Sequence, residues 1–331
     1  MAKMDLVTFG ERCMAKMDLV TFGETMILFN PFNKGPLRYV HSFQKSIAGA
    51  ESNVAIALAR LGYSTGWFSR LGNDEFGRYI LSVVRGEGVD VSRVRLDDKN
   101  STGLLFKERF AHGDPNIYYY RKESAASYFN IDDIDPEYIK NARIMHVTGI
   151  TPALSAETRK ATFEAIRIAK ENGVLVSFDP NIRLKLWTIE EARPVLLEIA
   201  KYSDIVFPGI TEGEQLLATS DPGEIADYFL KEGAKYVAVK LGKEGCFITD
   251  GQEEINIESY QVDTVEDTVG AGDGFAAGFL AGILKDLPLS ECGQWANAVG
   301  AMAVLVHGDM EGFPTMNQLL EFIGKRSRVD R

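Results

Sequence analysis

The sequence contains few cysteines and few histidines. Its 331 residues include three cysteines and four histidines, and Cys13, Cys246 and Cys292 lie far apart. These counts exclude a disulfide-rich secreted scaffold and the common zinc-site spacings. No apolar run reaches the roughly 18 residues of a membrane span, and the first residues lack the pattern of a signal peptide. We therefore expect a cytoplasmic protein with reduced thiols.

Positive charge is also in deficit. Lysine and arginine number 36 against 47 aspartates and glutamates, so the formal net charge at pH 7 is −11. This balance disfavours nucleic acid as a partner, and any anionic substrate would need a locally positive site. The remaining composition, 45% hydrophobic and 25% charged, is that of a soluble chain with one large domain or two smaller ones.

The N-terminal region contains a duplication. MAKMDLVTFGE occupies residues 1–11 and again 14–24, joined by Arg12 and Cys13. A structural repeat would be longer and would recur. We interpret residues 1–13 as a copied leader without function and residues 14–331 as a single domain.

Strand and helix patterns alternate along most of the chain. Short apolar strands separate helices predicted over residues 155–172, 189–201 and 222–233. This repetition predicts an α/β fold whose mostly parallel central sheet is covered by helices on both faces. Strands of mixed polarity within about 30–48 and 102–124 have no helices between them. They predict a small β-strand lid.

The segment DTVGAGDGF, residues 267–275, places three glycines and Asp273 ahead of an apolar helix. Such a loop is a good anion cradle, because backbone amides and the helix dipole favour negative charge. It matches neither the Walker pattern nor G-x-G-x-x-G. The alternative is a glycine-rich turn into a buried helix. Asp273 would lie at the helix start, where the dipole stabilises its charged form, and could take a proton from an alcohol.

Further polar residues follow the predicted strands, where ligands of parallel sheets bind. YYYRKESAAS, residues 118–127, combines aromatic surface with positive charge suited to an acidic sugar, although tyrosine-rich strands also pack in cores. AGAESNVAIALARLG, residues 48–62, permits either tight helix packing or an approach of Asn53 to a polyol. Glu212 and Glu214 either begin a solvated helix or hold Mg²⁺ through water.

AGAESNVAIALARLG and DTVGAGDGFAAGF together resemble the two signatures of the ribokinase-like (PfkB) carbohydrate kinases, and the resemblance covers residues 14–326. It implies a three-layer α/β/α fold with a small β lid that often mediates homodimers. It also implies an ATP- and Mg²⁺-dependent kinase. In that family the amides at the positions of Gly270, Ala271 and Gly272 hold the transferred phosphate, and Asp273 takes the position of the catalytic base.

Within the family, GAESN, YYYRKESAAS, FDPNIR and GDMEG are most similar to 2-keto-3-deoxygluconate kinases. The resemblance implies that a sugar acid contacts Gly49, Asn53, Tyr120, Arg121, Arg183 and Asp309. It implies that the nucleotide lies near Lys240, Gly242, Gly245 and Asn297.

Two positions depart from the family pattern. Ala48 replaces the first residue of the usual double glycine, and Gly209 replaces the asparagine of the N-x-x-E motif. Only Glu212 of that motif is retained, as an indirect Mg²⁺ residue. The resemblance alone also implies a monovalent cation, K⁺, beside Asp267 and Val269.

We therefore predict a kinase of a small sugar or sugar acid, with 2-keto-3-deoxygluconate as the first choice of substrate. A fructokinase is the alternative within the class, because it would need no carboxylate recognition. A non-catalytic sugar- or nucleotide-sensing module is the alternative of another class. A dinucleotide-binding dehydrogenase is disfavoured, because the glycine loop lies near the C-terminus and misses the fingerprint.

Overall fold

The computed structural model describes residues 16–110 and 116–326, so the predicted leader at residues 1–13 lies outside the described residues. The strands are β1 (Met17–Phe22), β2 (Met26–Pro31), β3 (Phe43–Ala48), β4 (Thr65–Phe68), β5 (Arg70–Gly72), β6 (Arg95–Asp97), β7 (Leu104–Glu108), β8 (Asn116–Tyr120), β9 (Ala142–Thr148), β10 (Leu175–Asp179), β11 (Ile205–Val206), β12 (Tyr236–Lys240), β13 (Cys246–Thr249) and β14 (Glu254–Ile257). The α-helices are α1 (Ala50–Arg60), α2 (Glu75–Gly86), α3 (Pro136–Lys140), α4 (Thr151–Leu154), α5 (Ala156–Glu171), α6 (Ile189–Ala200), α7 (Ile210–Leu217), α8 (Pro222–Lys231), α9 (Ala271–Leu284), α10 (Leu289–Ala303) and α11 (Met316–Phe322).

Eight strands form the main sheet, in the order β14-β13-β12-β11-β10-β9-β1-β4. The six strands from β12 to β4 are parallel, and β13 and β14 add an antiparallel edge. The predicted α/β class and the mostly parallel sheet are confirmed. The antiparallel hairpin at one edge was not predicted.

Alternating side chains give this sheet two buried faces. Leu19 on β1 belongs to a core with helices α1, α9 and α10, whereas its neighbour Val20 belongs to a core with α5, α6 and α8. Successive residues of a strand point to opposite faces, so one apolar strand supplies both cores. The result is a helix–sheet–helix arrangement of three layers, as predicted.

A second sheet of four strands, in the order β3-β2-β7-β8, projects from the main sheet. Strands β2 and β7 are parallel, and both outer pairs are antiparallel. It has its own small core, which contains Met26, Leu28, Ala48 and Leu105. We call these four strands the small sheet. Strands β3, β7 and β8 fall in the two segments of mixed polarity, whereas β2 begins at Met26, before the first of them.

Helix starts differ in a way that positions the functional site. Helices α5 and α6 begin with capping boxes, in which Ser155 and Thr188 accept hydrogen bonds from the first turn. Helix α9 has no side-chain cap and begins after Gly270. Its first backbone amides therefore remain available to a ligand.

Candidate active site

A cleft of about 880 Å³ lies where the carboxyl ends of the parallel strands meet the inner face of the small sheet. Predicted site residues in its wall are Gly49, Asn53, Arg121, Arg183, Glu212, Lys240, Gly242, Val269, Gly270, Gly272, Asp273 and Asp309. The wall does not include Tyr120, Gly245, Asp267, Ala271 or Asn297. Residues from both ends of the sequence thus share one cavity at the usual ligand position of an open α/β sheet.

The glycine loop presents free amides to this cleft. The first helical bond of α9 runs from the amide of Gly274 to the carbonyl of Gly270, at 2.8 Å. The amides of Ala271, Gly272 and Asp273 precede it and lack helical partners. Gly270 has φ +84°, and a Cβ there would lie 2.0 Å from the carbonyl oxygen of Asp309. Only glycine fits this turn, which is shaped to hold an anion.

Asp273 is a buried carboxylate at the start of α9. Its Oδ2 accepts a hydrogen bond of 2.8 Å from Nδ2 of Asn53. Burial, together with a smaller effect of Asp179, raises its pKa to about 7 against the opposing effect of that hydrogen bond. The sequence analysis expected the helix dipole to favour the charged form. Desolvation outweighs the dipole here, and the resulting pKa suits a general base near neutral pH.

Asn53 lies in the first turn of α1 and is almost completely buried. Its amide nitrogen is bonded to Asp273, whereas its Oδ1 has no hydrogen-bond partner among the described residues. Gly49 precedes α1, and a Cβ there would lie 2.7 Å from the carbonyl oxygen of Glu24. Small residues thus bring the helix start against the cleft. The free oxygen of Asn53 can accept a ligand hydroxyl.

Lys240, at the end of β12, is a cation in the cleft wall. Its Nζ lies 2.7 Å from Oδ2 of Asp179 and 4.0 Å from Oε2 of Glu212. Burial lowers its pKa, but the two carboxylates outweigh burial and the net shift is upward. A Cβ on Gly272 would lie 3.9 Å from the same nitrogen. The ammonium group therefore lies beside the glycine loop, where Asp179 compensates its charge.

Glu212 caps its own helix. Its Oε2 accepts the amide of Gly209 at 2.7 Å, and its Oε1 accepts the amide of Ile182 at 3.1 Å. Burial raises its pKa, and Lys240 opposes that shift. Backbone amides engage both oxygens, an arrangement that fits contact with a metal through water. Residues 16–110 and 116–326 contain no group of three or more His, Cys, Asp or Glu side chains arranged to hold a metal.

The two arginines predicted to bind a carboxylate differ in their partners. Arg121 is paired with the buried Glu24, and its Nε donates to Oε2 at 2.7 Å. Ser124 donates to the other oxygen of Glu24. Arg183 is exposed in the cleft wall and forms no ion pair within the part of the chain that the structure describes. The charge of Arg121 is therefore largely compensated, and that of Arg183 is not.

Strand β8 places Tyr120 away from the cleft. Residues of the strand alternate in direction, so Ile117 and Tyr119 face the cleft, whereas Tyr118 and Tyr120 line a groove on the outer face. Tyr120 is 65% exposed and packs edge-on against Phe106. Tyr119, one residue earlier, lines the cleft, whereas Tyr120, the predicted substrate residue, does not.

A buried ion-pair cluster lies behind the glycine loop. Nζ of Lys107, on β7, lies 2.9 Å from Oδ2 of Asp267 and 2.9 Å from Oδ1 of Asp309. Oδ1 of Asp267 accepts the amide of Val269 at 3.2 Å. Burial raises the pKa of Asp309, although Lys107 opposes the shift. Asp309 faces the cleft, whereas Asp267 supports the loop from behind.

Two of the predicted nucleotide residues support a strand end. Asn297 donates hydrogen bonds of 3.0 and 3.1 Å to the carbonyls of Ile257 and Glu258. Gly245 has φ +107°, and a Cβ there would lie 1.9 Å from the carbonyl of Ile257. Both residues thus shape the end of β14, while Gly242 lines the cleft with φ +61°.

Sequence reasoning missed Glu24, Lys107 and Tyr119. The signal for Lys107 was a lysine within the apolar strand pattern LLFKE, because a charge in such a pattern needs a partner. Glu24 follows β1 at the carboxyl edge of the sheet, where ligands of parallel sheets generally bind.

Within residues 16–110 and 116–326, none of the helices has the length and apolar character of a membrane span.

The sequence matches known proteins along its length. Residues 16–316 match the family described as pfkB family carbohydrate kinase. A 2-dehydro-3-deoxygluconokinase of Bacillus subtilis (strain 168) is 48% identical, with 99% of this chain and 98% of that protein covered. A protein of the same name from Thermoproteus tenax is 36% identical, over 90% of this chain and 91% of that one. Fructokinase-1 of Zea mays is 35% identical, with 86% of this chain and 90% of that protein covered.

Solved structures share the fold. A PfkB protein from Polaromonas sp. JS666 superposes with a TM-score of 0.85 at 40% identity, covering 92% of this chain and 99% of that one. A protein described as Ribokinase II from E. coli, in complex with ATP and Mg²⁺, superposes with a TM-score of 0.87 at 29% identity, covering 94% and 100%. The chain therefore belongs to the pfkB family of carbohydrate kinases, and the predicted family and enzyme class are confirmed.

Proposed function

We propose that this pfkB-family carbohydrate kinase transfers the γ-phosphate of ATP to a hydroxyl of 2-dehydro-3-deoxygluconate, the compound also written 2-keto-3-deoxygluconate. The observation that carries the choice of a sugar acid is Arg183, whose guanidinium lines the cleft without an ion pair among the described residues. A carboxylate is the natural partner for such a group, because the paired fork geometry gives strong charge-assisted hydrogen bonds. The similarity to 2-dehydro-3-deoxygluconokinases supports the same choice.

The sugar would lie between the small sheet and α1. On one side are Tyr119 and Arg121, and on the other are Gly49 and the free Oδ1 of Asn53. Asp309 faces the same space and offers an acceptor for a hydroxyl. In this arrangement the ion pair of Arg121 with Glu24 is neutral as a unit and offers hydrogen-bonding groups to the sugar. Arg183 provides the positive charge that selects a carboxylate.

Asp273 is the proposed general base. Its pKa of about 7 in the substrate-free cleft allows it to take the proton of the attacked hydroxyl. Asn53 holds the carboxylate at a fixed position through the 2.8 Å hydrogen bond. The amides of Gly270, Ala271 and Gly272 would stabilise charge on the transferred phosphoryl group, because fixed donors need no reorganisation during the reaction.

The nucleotide phosphates would lie along Lys240, Gly242 and the glycine loop. The ammonium of Lys240 beside Gly272 and the free amides of α9 would donate hydrogen bonds to the phosphates of ATP. Mg²⁺ commonly keeps several waters and is held by one or two carboxylates together with substrate phosphates. Asp179 and Glu212 fit that indirect role. When bound, the ion neutralises charge on the phosphates.

The small sheet is the proposed lid. Its inner face contributes Leu105, Lys107, Ile117 and Tyr119 to the cleft, so a movement of this sheet would open or close the sugar site.

We propose that residues 14–331 form one kinase domain with lid strands within about 30–48 and 102–124, and that residues 1–13 are dispensable. A cytoplasmic location and the absence of nucleic-acid partners belong to the same proposal.

A homodimer through the outer face of the small sheet is also proposed. This face exposes Phe110, Tyr118 and Tyr120, all at least 43% accessible. Exposed aromatic side chains grouped on one face are typical of an interaction surface. Sedimentation velocity over a range of protein concentrations would measure the association.

The proposal is tested by assaying ADP release with a panel of sugars that includes 2-dehydro-3-deoxygluconate, 5-dehydro-2-deoxygluconate and fructose. We expect the highest kcat/KM with 2-dehydro-3-deoxygluconate. A higher value with fructose would support the fructokinase alternative, which the similarity to Fructokinase-1 of Zea mays keeps open. No turnover with any sugar, combined with saturable sugar binding, would support the non-catalytic sensing module.

A further inference from the structure

Lys107 is the most deeply buried lysine of the cleft. Its side chain is only 2% exposed, and it reaches from β7 of the small sheet to two carboxylates on other elements. Burial lowers its pKa, but Asp309 and Asp267 outweigh burial and the net shift is upward. Lys107 is therefore a permanent positive charge near neutral pH. The catalytic roles proposed above do not use it.

The two carboxylates flank the glycine loop. Asp267 lies three residues before Gly270, and the carbonyl of Asp309 lies against the Cα of Gly270, where a Cβ would come within 2.0 Å. The ammonium of Lys107 thus neutralises charge and fixes geometry on both sides of the anion cradle. Without it, two buried carboxylates would lie near each other beside a phosphate site, which is electrostatically unfavourable.

The monovalent cation expected beside Asp267 and Val269 does not fit this arrangement. Oδ2 of Asp267 accepts the ammonium of Lys107 at 2.9 Å and the amide of Gly308 at 3.4 Å. Oδ1 of Asp267 accepts the amide of Val269 at 3.2 Å. Both oxygens are engaged by donors. A K⁺ ion bound to Asp267 would lie next to a fixed positive charge, and like charges repel strongly at such distances in a buried site.

We propose that the ammonium of Lys107 is the fixed cation of the glycine loop, so that phosphoryl transfer by this enzyme requires no monovalent metal ion. The inference rests on the proposed kinase function. Lys107 acts as a positioning residue, because it holds the carboxylates that shape the loop and does not touch the reacting atoms. Since it comes from β7, it also connects the small sheet to the loop that binds phosphate.

The first test uses the unaltered protein. Kinase activity with MgATP and thermal melting are measured with K⁺, Na⁺ or tetramethylammonium at constant ionic strength. We expect kcat/KM to vary by less than about twofold among the three cations, and the melting temperature to be the same in K⁺ and tetramethylammonium. A loss of about tenfold or more in tetramethylammonium, or a specific rise of the melting temperature with K⁺, would overturn the proposal.

The second test uses Lys107→Ala, with Lys170→Ala as the matched control. Lys170 is also ion-paired, at 2.8 Å from Asp204, but it lies on α5 outside the cleft. Lys107→Ala should lose activity on the order of 10²-fold, and K⁺ or methylammonium should restore part of it and raise the melting temperature. Lys170→Ala should show no cation response.

A Lys107→Ala protein that folds but responds to no cation would contradict the fixed-cation role. If that variant does not fold, the cation series on the unaltered protein decides the question. Absence of turnover in the unaltered protein with every sugar would instead contradict the kinase proposal, while the melting series in K⁺ and tetramethylammonium still tests the cation site.

Discussion

Asn53 and Asp273 are separated by 220 positions in the sequence, yet Nδ2 of Asn53 donates a 2.8 Å hydrogen bond to Oδ2 of Asp273. The contact joins the starts of α1 and α9, the two helices that carry the two sequence signatures. It explains why both helix starts are rich in small residues, since close packing brings the polar pair together at the cleft. The signatures thus describe two halves of one acid–amide pair.

Replacing Asp273 by asparagine should keep nucleotide binding and remove phosphoryl transfer. The amides of the loop remain, but no carboxylate takes the proton of the attacked hydroxyl. We expect kcat to fall by at least about 10²–10⁴-fold, with little change in affinity for a non-hydrolysable ATP analogue measured by calorimetry. Asp227→Asn, on the exposed face of α8, is the matched control. A variant with near-normal kcat would contradict the assignment.

The same variant should be more stable than the unaltered protein at about pH 8. Burial raises the pKa of Asp273 from 3.8 to about 7. Between these values the folded state binds more protons than the unfolded state. The contribution of Asp273 to the free energy of unfolding therefore falls as pH rises from 3.8 to about 7, and it is least above pH 7. Asparagine carries no charge at any of these pH values. Melting curves at pH 5 and pH 8 should therefore show a larger stabilisation at the higher pH.

Catalytic efficiency should report the same ionisation. The free enzyme needs Asp273 deprotonated, so kcat/KM should fall as pH decreases through about 7. Asn53→Ala removes a hydrogen bond that favours the carboxylate, and the acidic limb should move to higher pH. The measurement is a pH profile of kcat/KM for both proteins. An unchanged limb would show that Asn53 does not tune the base.

Arg183→Ala should damage turnover of the acid substrate more than turnover of fructose. The guanidinium compensates the carboxylate of the acid, whereas a neutral sugar offers no such charge. We expect kcat/KM for 2-dehydro-3-deoxygluconate to fall by about 10–100-fold, and the value for fructose to change much less. Arg143→Ala, whose partner Asp18 lies outside the cleft, is the control. Equal losses with both sugars would assign Arg183 to phosphate binding or to structure.

Deleting residues 1–13 should leave the melting temperature and activity unchanged. The second copy of the duplicated segment supplies β1, which begins at Met17 and pairs with β4 and β9. The measurement compares the full-length and shortened proteins by thermal melting and by ADP release. A large drop in either quantity would show that the first copy contributes to the fold.

The sequence predicted the sheet, its helices and the glycine loop because these depend on local periodicity and on a dense motif. It did not predict the partners of charged side chains, which are decided by tertiary packing. Arg121 was assigned to the substrate from its neighbours in the chain and from the family resemblance, but Glu24, 97 positions earlier, compensates its charge. Lys107 and Asp267, 160 positions apart, meet only because the small sheet approaches the glycine loop.

The neighbouring tyrosines of β8 provide a test of the strand's register. Tyr119 faces the cleft and lies within 5.5 Å of the charged groups of Arg121 and Lys185, whereas Tyr120 packs against Phe106 on the outer face. A shift of one residue would exchange these faces. Tyr119→Ala should therefore raise the KM for the sugar by about tenfold. Tyr120→Ala should leave that KM within about twofold and weaken the proposed dimer.

The two variants are matched, because each removes one tyrosine ring from the same strand and only the direction of the side chain differs. Sugar KM values and sedimentation velocity, measured on both proteins, separate the two effects. A rise of KM in Tyr120→Ala alone would contradict the register. A monomeric unaltered protein at every concentration would contradict the dimer but leave the assignment of Tyr119 intact, since the cleft wall belongs to a single chain.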